Sequence, residues 1–190
     1  MNDIKKIAIF ASHNASSLEP IYNAIQEKTL NISIEILISN NTNAFALQKA
    51  KELNIKSKVI NSKKYENVDE RIYKTLKENS CQYIFLAGYM KKISSLLTNN
   101  FIIINSHPSL LPLYGGAGMY GRFVHEAVLK NNEKFTGVSI HYVNEHYDQG
   151  KILLQEKLEI LPNEKIDSLE QRVKKLEAVL IIKTLKLCLK

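Results

Sequence analysis

Asn105 and His107 carry the strongest chemical signal in the chain. They sit in Asn105-Ser106-His107-Pro108-Ser109-Leu110-Leu111-Pro112, directly after the apolar run Phe101 to Ile104. Side chains at i and i+2 of a strand point to one face, so an amide and an imidazole can project together from the end of that run. Pro108 biases the backbone of His107 toward an extended conformation. An amide that donates to a developing oxyanion, beside an imidazole that holds or moves a proton, is the equipment of acyl transfer. The triplet by itself also reads as a loop-capping Asn and a surface His. Downstream, Asp148 in Tyr147-Asp148-Gln149-Gly150 supplies a carboxylate that can raise the pKa of a nearby imidazole or order a water. Taken alone it is equally a turn aspartate.

Two further groups suit a bound anion. Ser12-His13-Asn14-Ala15-Ser16-Ser17 follows one apolar run and precedes a helical pattern, which places its N–H groups and hydroxyls to hold a phosphate. The alternative is a plain turn in which a serine caps the helix. Near the C-terminus Lys174 and Glu177 are three apart and share a helix face; a solvated charged face is the other reading.

The elements that must position these residues alternate in type. Ile4 to Ala11, Ile32 to Ser39, Lys58 to Ile60, Gln82 to Ala87 and Phe101 to Asn105 read as strands. Leu18 to Lys28, Ala44 to Leu53 and Val68 to Glu78 read as helices between them. Runs apolar on both faces belong to a parallel sheet covered by helices on each side, which makes the fold class α/β. Open sheets of that kind place their sites at the carboxyl ends of strands. All seven glycines lie between Gly88 and Gly150, marking the middle third as the region of loops and polar chemistry. Gly137 to Val143 and Ile152 to Leu158 are two more extended runs. The tail is helical, with Asp167 and Glu170 as an expected capping box and Leu169, Val173, Leu176, Leu180 and Leu187 at helical spacing. No repeat, linker or composition break marks a second domain.

Composition narrows the function classes. The chain has 190 residues, 45% of them hydrophobic and 24% charged, enough apolar material for a full core. No apolar run approaches the ~20 residues of a membrane span. Met1 to Lys6 leads into too short an apolar stretch for a signal peptide, so the expected location is cytoplasmic. Cys81 and Cys188 have neither the spacing of a disulfide framework nor that of a metal site; no metal is expected. Lys and Arg number 26 against 19 Asp and Glu, a net charge of +7. The basic residues are scattered in ones and twos instead of forming the stripe of a nucleic-acid binder. An anionic small molecule is the expected partner.

The string from Asn105 to Pro112 closely resembles the signature of the folate-dependent formyltransferases, and the similarity runs along nearly the whole chain. Leu86-Ala87-Gly88-Tyr89-Met90 resembles that family's folate-lining segment, and Asp148 with Gly150 its catalytic aspartate loop. The resemblance implies a Rossmann-like, mostly parallel sheet in a single domain. It implies transfer of the formyl group of 10-formyltetrahydrofolate to the amine of glycinamide ribonucleotide in purine synthesis, in a monomer or homodimer. Asn105, His107 and Asp148 are then the catalytic residues, with Asn105 and protonated His107 stabilising the tetrahedral intermediate. Ala15, Ser16, Ser17, Lys174 and Glu177 would bind the ribonucleotide. Met90, Lys91, Lys92, Ile93, Asn105, Asn144, Glu145, His146, Tyr147 and Asp148 would bind the folate.

The chain departs from the family in three places. The family's first loop usually reads Gly-x-Gly-Ser-Asn, against His13, Ala15 and Ser17 here. An expected arginine has no counterpart around Lys63 to Tyr65, and the Tyr114 to Gly121 loop is longer and richer in glycine, a segment able to close over a ligand. Methionyl-tRNA formyltransferase, which carries a further C-terminal domain, and formyltetrahydrofolate hydrolase, which carries a further N-terminal one, share the same three residues. A basic nucleotide-binding module is the reading from another class.

Overall fold

Alternation along the first strand sets the architecture. In β1 (Lys5–Ala11), Ile7, Ile9 and Ala11 enter one buried cluster while Ala8 and Phe10 enter another, because successive side chains leave a strand by opposite faces. A strand apolar on both sides needs cover on both, and helices supply it. The computed structural model describes residues 4–189; the N-terminal Met1 to Asp3, read for the lack of a leader, and the final Lys190 lie outside the described residues.

The elements continue as α1 (Leu18–Gln26), β2 (Ile32–Ser39), α2 (Phe45–Glu52), β3 (Ser57–Val59), α3 (Val68–Glu78), β4 (Tyr83–Leu86), α4 (Ser95–Thr98), β5 (Ile102–His107), α5 (Arg122–Lys130), β6 (Phe135–Tyr142), β7 (Ile152–Glu159) and α6 (Ile166–Cys188). The sheet order is β3-β2-β1-β4-β5-β6-β7. β1 to β5 pair in parallel, and β6 and β7 add to the edge antiparallel. Buried residues of α1, α2 and α6 cover one face, and those of α3 and α4 the other. The strand order reverses between β1 and β4, so the loops leaving their carboxyl ends diverge and open a crevice, the usual ligand position in such sheets. Ser12 N–H donates to the Gly88 carbonyl at 3.0 Å and Met90 N–H to Ser12 Oγ at 2.7 Å, which ties the two loops together at the crevice floor.

Three features of the sequence reading are revised. α5 was not anticipated; its buried Val124, His125 and Val128 follow a loop whose glycines obscure the helical spacing. β5 runs on through His107, so the site residues belong to the strand itself. Asp167 and Glu170 form no capping box: Lys165 is the N-cap, with no side-chain cap bond. Asp167 accepts from Arg122 at 2.6 Å, and Glu170 pairs with Lys174. Glu164 secures that end of α6, accepting from Leu161 N–H at 2.9 Å, Ser168 Oγ at 2.9 Å and Arg172 Nη1 at 2.7 Å.

The segment after His107 is fixed to β6 by one hydroxyl. Ser139 is fully buried; its Oγ donates to Ser109 O at 2.6 Å and accepts from Leu111 N–H at 3.0 Å and Gln155 Nε2 at 2.8 Å. Ser139→Ala orphans these groups away from water, at an expected cost of about 2 kcal/mol. A thermal melt should show Tm lowered by roughly 4–8 °C; an unchanged Tm would mean that water replaces the hydroxyl.

Candidate functional site

The first loop meets the crevice through a strained residue. Ala15 has φ 45° and is buried, a left-handed conformation costing an L-residue roughly 1 kcal/mol. The bend brings Ser16 and Ser17 to the amino end of α1, whose first N–H groups have no intrahelical acceptor. Ser17 is the N-cap residue but makes no side-chain cap bond. The capping reading of that serine therefore fails, while the loop's donors border a cavity.

Strand register brings Asn105 together with a histidine that the sequence reading passed over. Asn105 on β5 lies opposite His141 on β6. The Asn105 amide nitrogen is 3.1 Å from His141 Nε2 and 3.5 Å from Asp148 Oδ1. His141 Nδ1 lies 2.8 Å from the Tyr142 carbonyl; a carbonyl only accepts, so Nδ1 carries a proton, and Nε2 stands between the Asn105 amide and Asp148 Oδ1, 3.5 Å away. The same logic applies to His107. Its Nε2 donates to the Tyr114 carbonyl at 2.7 Å, and its Nδ1 faces Asp148 Oδ2 at 3.5 Å. Gly116 N–H donates to that same Oδ2 at 2.9 Å.

Asp148 has φ 55°, and the turn behind it depends on Gly150. A Cβ on Gly150 would stand 1.6 Å from the Tyr142 carbonyl oxygen, the atom that orients His141.

These contacts set the ionisation. Burial pushes the Asp148 carboxyl up, but His141, the charge of His107 and the Gly116 N–H outweigh it and hold the group below the usual carboxylate range. For His107 the order is the reverse of the sequence expectation. Asp148 and the Tyr114 carbonyl raise its pKa, yet burial dominates and lowers it below 6.5. Burial thus favours the neutral imidazole, and the positive charge that His107 lends to Asp148 is present only when the ring is protonated.

A cavity of about 510 Å³ opens onto this cluster, within the range of small-molecule sites. The residues expected to act in catalysis or to bind the ribonucleotide and the folate line it: Ala15 to Ser17, Met90 to Ile93, Asn105, His107, Asn144 to Asp148, Lys174 and Glu177. Lys63 to Tyr65 do not. Lys174 turns toward Glu170 and borders both this cavity and an adjoining hollow of about 210 Å³ beside Ser16 and Ser17.

His125, His141, Ser106 and the backbone of Tyr114 and Gly116 also reach the cluster or line the cavity. The crowding of histidines after residue 105 was the one signal for the first two; their pairing needed the register of β6. Among the described residues no group of His, Cys, Asp or Glu is arranged to hold a metal ion, and no helix is long and apolar enough to cross a membrane.

A family profile described as "Formyl transferase" matches residues 5–185. The phosphoribosylglycinamide formyltransferase of Bacillus subtilis is 34% identical over 179 residues, covering 92% of this chain and 89% of the relative. The chloroplastic protein of that name from Arabidopsis thaliana is 33% identical over 175 residues, covering 89% of this chain; the chain spans 60% of that relative's length. Among solved structures, glycinamide ribonucleotide transformylase 1 from Geobacillus kaustophilus superposes with a TM-score of 0.91 at 29% identity, covering 99% of this chain and 100% of the other.

Burial of neutral histidines makes stability pH-dependent. His107 and His125 both have pKa values lowered by burial, so below about 6.5 the unfolded chain takes up protons that the folded chain does not. Stability should fall as pH drops through that range, by up to about 1.4 kcal/mol per pH unit for each histidine. Urea unfolding between pH 8 and 5 measures the slope. His125→Asn should flatten it, and an unaltered slope would exclude that residue as a source.

Proposed function

From the premise that the chain belongs to the formyl transferase family, we propose that it transfers the formyl group of 10-formyltetrahydrofolate to the primary amine of glycinamide ribonucleotide. We further propose that residues 1–190 act as one formyltransferase domain, of which the family profile matches residues 5–185. The observation that carries the reading is the single cavity that joins an amide, an imidazole and a carboxylate at one place to an anion-compatible helix end at another. The cavity's volume of about 510 Å³ lies within the range of small-molecule sites. The walls of residues 86–93 and 143–148 offer apolar side chains and backbone groups to a flat heterocycle, and Ser16, Ser17 and Lys174 offer donors to a phosphate.

The chemistry follows from the proton positions. As the substrate amine attacks the formyl carbon, negative charge grows on the formyl oxygen. The long Asn105 contact to Asp148, 3.5 Å, is readily exchanged for a hydrogen bond to that oxygen. The nitrogen that attacks becomes acidic, and neutral His107 accepts its proton at Nδ1, directly or through one water. The resulting imidazolium has Asp148 on one side and the oxyanion within reach. Breaking the bond from the formyl carbon to the folate nitrogen returns the electron pair to that nitrogen, which takes the proton from His107. His107 thus begins neutral and is charged only while charge develops beside it. Ala15 to Ser17 and Lys174 hold the phosphate, Glu177 the ribose or amine end, and Met90 to Ile93 with Asn144 to Asp148 the folate.

The test is an assay of the purified protein with 10-formyltetrahydrofolate, following tetrahydrofolate release with and without glycinamide ribonucleotide. Turnover that requires the ribonucleotide is expected. Release with water as sole acceptor would assign a hydrolase instead, and no reaction would remove the formyl-transfer reading. Given turnover, His107→Ala should lower kcat by roughly 10²–10⁴-fold with the fold intact by circular dichroism. The acidic limb of kcat/KM should lie below pH 6.5, because burial lowers the His107 pKa. Asp148→Asn removes the charge that raises that pKa, so the limb of the residual activity should move lower still; a limb that moves upward would contradict the assigned roles.

A further inference from the structure

Alternation along β5 separates Ser106 from the two residues beside it. Asn105 and His107 share a face with Ile103, which belongs to the cluster under α3 and α4. Ser106 shares the opposite face with Ile104, which belongs to the cluster under α1 and α6. On that side Ser106 Oγ donates to Glu177 Oε1 of α6 at 2.6 Å. Both side chains border the cavity. Among the described residues Glu177 forms no ion pair, and Lys174, one turn earlier, is engaged by Glu170.

We propose that Ser106 is a positioning residue for the ribonucleotide: its hydroxyl holds one oxygen of the Glu177 carboxylate so that the other faces the cavity, preset to accept from a ribose hydroxyl or the amine of the substrate. The inference rests on the ribonucleotide reading above. A free glutamate on a helix surface samples several rotamers and loses that freedom on binding a ligand; the short bond to Ser106 removes the loss in advance. Burial dominates and raises the Glu177 pKa; the Ser106 hydroxyl and the Lys174 charge oppose that rise, so the bond acts in favour of the charged acceptor. The strand thereby links two tasks. Asn105 and His107 face the reacting carbon, and Ser106, between them, sets the group that places the substrate.

Calorimetric titration of glycinamide ribonucleotide and steady-state kinetics on the full chain test this. Ordering one rotamer-rich side chain on binding is worth roughly 2- to 12-fold in affinity, so Ser106→Ala should raise Kd and KM for the ribonucleotide by about that factor, with kcat and KM for the folate held within about twofold. Ser106→Thr keeps the hydroxyl and should restore most of the affinity. Glu177→Ala should weaken binding at least as much, and Ser106→Ala added to it should cost nothing further; a further loss would show Ser106 touching the ligand directly and overturn the positioning role. Thermal melts of each variant separate a folding defect from a binding one. If the unsubstituted chain binds the ribonucleotide and Ser106→Ala binds it equally well, this assignment falls alone. If the unsubstituted chain neither binds nor formylates it, the ribonucleotide reading falls and takes the assignment with it.

Discussion

A carboxylate removed from water must be compensated by its surroundings, and the placement of Asp148 determines much else in this protein. Burial alone would neutralise it. The Gly116 N–H donates to it at 2.9 Å in every protonation state, and His107 and His141, at 3.5 Å each, add their positive charge whenever they are protonated. Each of those partners is in turn held by a backbone group: His107 by the Tyr114 carbonyl and His141 by the Tyr142 carbonyl. The proton positions on both imidazoles are therefore set by main chain, which does not rotate as a side chain does. The bends at Asp148 and Gly150 and the path of residues 114 to 116 all serve that one arrangement.

The sheet explains why these groups converge. Reversal of strand order beside β1 opens the crevice, and the parallel strands deliver their carboxyl ends to it. The antiparallel addition of β6 then sets His141 directly opposite Asn105. A seventh strand seals the outer side of β6, where a Cβ on Gly137 would stand 2.1 Å from the Glu156 carbonyl. The fully buried Ser139 fastens the segment that follows His107. Packing thus fixes the backbone first, and the polar network inherits its precision.

Much of this was legible in the residues. The two-sided apolar runs foretold the sheet and its helices because burial on both faces leaves no polar alternation; α3, bounded at Val68 and Glu78, matched its periodicity at both ends. The pairing of Asn105 with His107 followed from strand geometry. What was hidden depended on tertiary partners. His141 meets Asn105 through a cross-strand register that no local pattern encodes. Asp167 accepts from Arg122 of α5 at 2.6 Å in place of capping its own helix, a partner that only the tertiary fold supplies. The neutrality of His107 could not be read from Asp148, since the opposing burial is a property of the folded interior.

The site draws on residues 13–17, 86–93, 105–108, 116–121, 143–148 and, on α6, Glu170, Val173, Lys174 and Glu177, positions spread over most of the chain. A chain leaving the ribosome amino end first can pair β1 with β4 and still present only the part of the cavity lined by residues 13–17 and 86–93. The last wall arrives with α6. Long-range closure of this kind is slow relative to local helix formation, so the pocket is among the final things to exist during synthesis. Until α6 has packed, the cavity lacks the wall that Val173, Lys174 and Glu177 supply.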